Sequence, residues 1–174
     1  MAERLFFALW PGEALQRTLY ELGRAVAPPG GKPMAAQNLH ITLAFLGTID
    51  DDKRNCMEKS AAAIRLPPFE LRLDCAGYWP RPQVVWLGCR EVPQPLAALA
   101  GQLNTAMAAC GLTPESRPYS PHLTVLRKAR QGPRQLDMDT VHWPVGDFVL
   151  VQSLTLPEGA QYQVVRRWPL AGQL

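Results

Sequence analysis

Hydrophobic positions along the chain follow two rhythms, one of period two and one near 3.6. Leu5 to Trp10 is a six-residue apolar and aromatic run closed by Pro11-Gly12, which predicts a strand covered on both faces. Leu15, Leu19, Leu22 and Val26 then recur at spacings of four, three and four, predicting a helix from about Pro11 to Ala27 that Pro28-Pro29-Gly30-Gly31 breaks. From Asn38 to Gly47 the pattern alternates. Leu39, Ile41, Leu43 and Phe45 share one parity and belong to the core, while His40, Thr42 and Ala44 share the other.

Asp50-Asp51-Asp52 caps a second helix running to about Arg65, stopped by Pro67-Pro68. Strands follow at about Phe69 to Gly77 and Gln83 to Cys89, joined by a turn at Tyr78-Trp79-Pro80-Arg81-Pro82. Leu96, Leu99, Leu103 and Met107 mark the buried stripe of a third helix, Gln94 to Cys110, ended by Gly111. Pro121 to Leu126 is again a strand, with His122, Thr124 and Leu126 on one parity. Gly132, Pro133 and Pro144 predict a loop between Gln131 and Pro144, and strands at Phe148 to Leu156 and Gln163 to Leu170 close the chain.

The order of elements repeats. His122 follows His40 by 82 residues, Phe148 follows Phe69 by 79, and Val164 follows Val84 by 80, which predicts an internal duplication within one domain spanning residues 1–174.

Composition changes this picture little. At 174 residues, 47% apolar and 19% charged, the chain has the balance of a folded globule able to bury a core without metals or disulfides. No run is long enough for a signal-peptide core or a membrane span, so the expected setting is cytoplasmic, with no membrane contact. Cys56, Cys75, Cys89 and Cys110, spaced 19, 14 and 21 apart, show no zinc pattern and are expected to be four free thiols. The net charge of +3 identifies no partner, but Arg117, Arg127, Lys128, Arg130 and Arg134 fall in a stretch that lacks acidic residues and contains His122.

The chemistry lies in the two His-x-Thr copies. A strand presents residues i and i+2 on one face roughly 7 Å apart, so each copy offers an imidazole and a hydroxyl together. Two such strands side by side would place two imidazoles and two hydroxyls around a tetrahedral phosphate. Thr42 and Thr124 then donate to its oxygens, while one histidine takes a proton from water and the other gives one to the leaving oxygen. The third histidine, His142, has Pro144 where the hydroxyl should be and is assigned a structural or surface role. Three dispersed histidines make no metal site, so neither metal nor cofactor is expected.

Asn38-Leu39-His40-Ile41-Thr42-Leu43-Ala44-Phe45-Leu46-Gly47 and Pro121-His122-Leu123-Thr124-Val125-Leu126-Arg127 resemble the two motifs of the 2H phosphoesterases, in particular the bacterial 2′-5′ RNA ligase or RNA 2′,3′-cyclic phosphodiesterase branch. Arg4-Leu5-Phe6-Phe7-Ala8 and Val84-Val85-Trp86-Leu87-Gly88 extend the likeness over nearly the whole chain. The resemblance implies an α+β fold with two pseudo-symmetric lobes, their antiparallel sheets lining a central groove and helices on the outer faces. It implies His40 as proton donor to O3′ and His122 as proton acceptor from water, and a 2′-phosphomonoester product. With a 5′-hydroxyl end in place of water, it implies 2′-5′ ligation.

Arg127 belongs to the second motif, although strict alternation from His122 puts it on the opposite parity unless the strand bulges. Arg117, Phe7 and Tyr119 complete the candidate substrate-binding set, the aromatic pair as base-stacking faces. The expected partner is RNA with a 2′,3′-cyclic phosphate end, or a cyclic nucleotide, bound by a monomer. Two other readings remain open: a related enzyme for another cyclic phosphate, such as an ADP-ribose derivative, and a module that binds RNA ends without turnover.

Overall fold

The computed structural model describes residues 1–172. Its elements are β1 (Glu3–Leu9), α1 (Glu13–Val26), β2 (Lys32–Pro33), a 3₁₀ turn (Ala36–Asn38), β3 (Ile41–Ile49), α2 (Asp51–Ala62), β4 (Phe69–Trp79), β5 (Val84–Gly88), α3 (Gln94–Ala109), β6 (His122–Arg127), β7 (Asp137–Val145), β8 (Asp147–Leu156) and β9 (Gly159–Pro169). The local reasons are those the sequence suggested. Asp50 accepts a hydrogen bond from the backbone N–H of Lys53 at 2.9 Å and caps α2. The stripe Leu96, Leu99, Leu103 and Met107 is buried on α3.

The strands form an antiparallel sheet in the order β7-β4-β5-β6-β3-β1-β8-β9, with β2 alongside the end of β6. Its middle is narrow. β3 and β6 share one ladder pair, Ile41 with Leu123, so the sheet divides into two four-stranded halves that meet at this seam. Beneath the seam α1 touches β6 and α3 touches β3, and Leu5, Phe7, Leu9, Ile41, Leu87 and Leu123 belong to the main core on that side. On the other face of β1, Phe6 and Ala8 form a second buried cluster with Val149 and Val151. β1 is therefore covered on both faces, as its unbroken apolar run predicted.

Four expectations are corrected. Asp137–Val145 is a strand rather than a loop. It pairs with β4 at the sheet edge, where Pro144 costs no ladder hydrogen bond to a further neighbour. Phe45 is 49% exposed rather than core. Phe7 and Ala8 pair with Ala44 and Thr42, so Leu43 is an extra residue in β3 and the parity reverses beyond it. The duplication is real in the pairs His40/His122 and Phe69/Phe148, which lie in or directly before strands in matching places of the two halves. Val84 and Val164 do not correspond, because β5 occupies the place of β1 whereas β9 occupies that of β7.

Finally, Cys56 and Cys110 form a disulfide, with only Cys75 and Cys89 free. Packing of α2 on α3 brings the two Cα atoms within 5.8 Å across 54 residues, a proximity that linear spacing does not reveal.

Candidate active site

The Ile41–Leu123 pair is the centre of a local pseudo-twofold arrangement. In an antiparallel register the flanking positions cross, so His40 stands opposite Thr124 and Thr42 opposite His122. All four side chains lie on the face away from the main core and are half-buried.

The two imidazoles are held alike. Nδ1 of His40 lies 2.7 Å from the Asn38 carbonyl oxygen, and Nδ1 of His122 lies 3.0 Å from that of Ser120. A carbonyl only accepts, so each Nδ1 carries the hydrogen and each Nε2 is left to exchange a proton with a ligand. Burial, and secondarily the nearby His122, pushes the His40 pKa down to about 4; burial also lowers that of His122. Both are neutral in the empty site near pH 7.

Their surroundings differ. Trp10 stacks on His40 with ring centroids 4.9 Å apart and planes 5° from parallel, and Tyr162 meets His40 edge-on at 5.3 Å. Phe6 lies 5.1 Å from the same ring. On the other half Trp79 meets His122 at 4.4 Å with planes at 66° and lies 5.2 Å from Trp86. Trp86 lies across Gly77 and Gly88, where any Cβ would collide with its ring. Sequence reasoning missed Trp10, Tyr162, Trp79 and Trp86. Trp10 directly after β1 and Trp79 at the end of β4 offered a slight signal, whereas Trp86 and Tyr162 lie inside β5 and β9.

A second bulge matches the first. Trp86 pairs with Thr124 and Val85 with Leu126, leaving Val125 as the extra residue in β6. Each bulge thus falls three residues after its histidine, at Leu43 and at Val125, and both halves bury two consecutive residues there: Leu43 with Ala44, and Val125 with Leu126. The consequence for Arg127 is a change of face. It shares the face of His122 and Thr124, is exposed, and pairs in the ladder with Lys32.

Other candidates fall elsewhere. Phe7 is fully buried between Phe148 and Trp168 in the main core, so it offers no stacking face and its substrate-binding assignment is withdrawn. The Tyr119 hydroxyl donates to the Thr42 carbonyl at 2.9 Å, which tethers the segment before β6 to the first motif. Arg117 is exposed and paired with Glu115 at 3.2 Å. His142 is on the surface with Nδ1 2.8 Å from Glu70. Among the described residues no three His, Cys, Asp or Glu side chains are grouped to hold a metal ion.

The chain is similar in sequence and fold to known proteins. The profile of the 2′-5′ RNA ligase superfamily matches residues 11–155. The chain belongs to that superfamily. A relative from Escherichia coli (strain K12), an RNA 2′,3′-cyclic phosphodiesterase, is 37% identical over 171 residues, covering 97% of each chain. Another of the same name from Thermus thermophilus is 30% identical, covering 98% of this chain and 91% of that one. The crystal structure of E. coli LigT complexed with 3′-AMP superposes with a TM-score of 0.91 at 36% identity, covering 98% of this chain and 99% of LigT. The α+β architecture of two antiparallel sheet halves with three helices is thus the superfamily's own fold.

Proposed function

We propose that this member of the superfamily opens RNA 2′,3′-cyclic phosphate ends to 2′-phosphomonoesters without a metal, as a single-domain cytoplasmic monomer. Its relatives are named RNA 2′,3′-cyclic phosphodiesterases, and no helix among the described residues is long and apolar enough to cross a membrane. The observation that carries the reading is the crossed register at the seam, which sets each imidazole opposite the other motif's threonine. A phosphate on the axis would meet two Nε2 atoms and two hydroxyls.

In this scheme Thr42, Thr124 and Arg127 hold the non-bridging oxygens. His122 removes a proton from the attacking water as its oxygen bonds to phosphorus. His40 delivers a proton to O3′ as the P–O3′ bond breaks, leaving the phosphate on O2′. The depressed pKa of His40 works against an acid in the empty groove. The negative charge of the bound diester works for one, as does the face of Trp10, which favours an imidazolium above it. A 5′-hydroxyl end in place of water, attacking by the same steps as P–O3′ breaks, yields a 2′-5′ linkage.

The test is turnover of a defined RNA ending in a 2′,3′-cyclic phosphate, with excess chelator, resolving 2′- from 3′-phosphate products. Expected are 2′-phosphate product and losses of roughly 10²- to 10⁴-fold in His40→Ala and in His122→Ala. Binding without turnover overturns the reading in favour of an RNA-end module. Preference for a cyclic ADP-ribose phosphate overturns the substrate class, and inhibition by chelator overturns the metal-free scheme.

A further inference from the structure

In an in-line displacement the attacking and leaving oxygens stand on opposite sides of phosphorus, so a two-histidine site has a leaving side and an attacking side. With His40 serving O3′ and His122 serving the nucleophile, the leaving side is the half that contains β3 and the attacking side the half that contains β6. The two sides are furnished differently. His40 is enclosed by Trp10, Phe6 and Tyr162, and its contact with the Asn38 carbonyl is partly buried. Among the described residues His122 has one aromatic neighbour, Trp79, and its contact with the Ser120 carbonyl is exposed. Room is left where the nucleophile enters.

Water needs no aromatic surface, yet the attacking side carries a pair of tryptophans. Trp86 is the ladder partner of Thr124 and shares the face of the second motif. Gly77 and Gly88 let its ring lie against the backbone of β4 and β5, and it is half-buried there. Trp79, also half-buried, pairs with Val84 at the end of β4. Its ring stands 5.2 Å from that of Trp86 and 4.4 Å from that of His122, so one aromatic surface runs from β5 to the proton acceptor. Among the described residues Trp86 Nε1 is the one buried side-chain nitrogen or oxygen without a hydrogen-bond partner. An unpaired buried donor costs stability, and a phenylalanine would cover the two glycines without that cost. Fold stability does not call for an indole at this place.

We propose that Trp79 and Trp86 form the acceptor subsite for ligation, stacking the first base of an RNA strand whose 5′-hydroxyl attacks in place of water. The inference rests on the RNA reading above and deepens it. The O5′ proton passes to Nε2 of His122 as O5′ bonds to phosphorus. The P–O3′ bond breaks and O3′ takes the proton of His40, leaving a 2′-5′ phosphodiester beside a free 3′-hydroxyl, with no co-reactant consumed. Base and C5′ stand on the same face of the ribose, so a base stacked on the tryptophans keeps O5′ near the imidazole that Trp79 touches. Every base has a π face, so the subsite accepts any first nucleoside. A dilute hydroxyl competes poorly with solvent water, and holding it beside His122 raises its effective concentration.

The experiment follows joining and hydrolysis in one reaction. The donor is a 5′-phosphorylated RNA ending in a 2′,3′-cyclic phosphate, and the acceptor is a short RNA with a 5′-hydroxyl end. With wild-type protein, an acceptor whose first residue is abasic should join roughly 5- to 100-fold less efficiently than the intact one. Trp79→Leu and Trp86→Leu should lower the ratio of joined to hydrolysed product by a similar factor and raise the KM for acceptor, and Trp79→Phe and Trp86→Phe should recover most of the loss. Equal joining of intact and abasic acceptors overturns the subsite, as does an unchanged ratio in both leucine variants. Hydrolysis with no joining at any acceptor concentration overturns it too. Failure of the RNA reading itself would show separately, as wild-type protein that neither hydrolyses nor joins the cyclic end.

Discussion

Ile41 faces Leu123 across the only ladder pair between β3 and β6 among the described residues, and the positions of both histidines follow from it. Ile41 is fully buried, so Ile41→Ala should cost about 2–4 kcal/mol. Leu71→Ala, equally buried in β4 but remote from the seam, should cost a similar amount. The two should part in activity. Assayed well below its melting temperature, Ile41→Ala is expected to lose at least tenfold in kcat while Leu71→Ala retains the wild-type value. Matching kcat values in the two variants would show that the seam does not set the site.

Stability should fall as the solution is acidified through the histidine range. An unfolded His40 takes a proton near pH 6.5, whereas the folded one resists until about pH 4. Between these values the unfolded chain binds more protons, so stability rises with pH there and is lost on descent, by about 3 kcal/mol for His40. His122 acts in the same direction. Urea midpoints from pH 4 to pH 7 measure the slope, and His40→Phe should flatten it. An unchanged slope in that variant would contradict the burial of a neutral imidazole.

Activity should follow pH differently in the free and bound enzyme. The pH profile of kcat/KM reports groups in the free enzyme, and both histidines are depressed there, so its maximum is expected on the acid side of 6.5. The profile of kcat should lie at higher pH, because the bound diester's charge favours protonation. The apparent values belong to the pair rather than to either ring. Coincident profiles would show that the diester does not reprotonate the site.

Gly77→Ala should destabilise the protein by about 1–3 kcal/mol, since the new methyl collides with the Trp86 ring. Gly101→Ala supplies the contrast. That glycine is exposed within α3 with open space around it, and alanine there should stabilise by about 0.5–1 kcal/mol. Melting temperatures that move in the same direction would contradict the flat seating of Trp86.

The Cys56–Cys110 bridge closes a long loop between α2 and α3. Chain entropy predicts a contribution of up to about 4 kcal/mol. A reductant should therefore lower the melting temperature of the wild type and leave the double variant Cys56→Ser, Cys110→Ser unaffected. Insensitivity of the wild type would remove the bridge from the account.

Much of this architecture was legible because it is written in short-range rhythm. The period of α1 and α3 and the two His-x-Thr strands need only local pattern, and all four landed within a few residues. What the pattern hid was register. A bulge adds one residue with no mark in the sequence, so strict alternation puts Phe45 in the core and leaves the face of Arg127 dependent on a bulge, which only the pairing with β1 and β5 reveals. Edge strand β7 was missed because Pro144 reads as a breaker unless one knows that its strand has a single neighbour. The aromatic residues against the histidines were illegible for a further reason: Tyr162 lies more than a hundred residues from His40 and meets it only through β8, β1 and the folded sheet.

The half that contains His122 is built from one uninterrupted stretch, β4 through β7, whereas the half that contains His40 takes β1 and β3 from the start of the chain and β8 and β9 from its end. During synthesis the second motif can thus acquire its sheet neighbours early, while the ring of Tyr162 reaches His40 only once β9 has been made. A chain stopped before β9 would hold His122 among its sheet neighbours and leave His40 with Trp10 and Phe6 but without the edge of Tyr162.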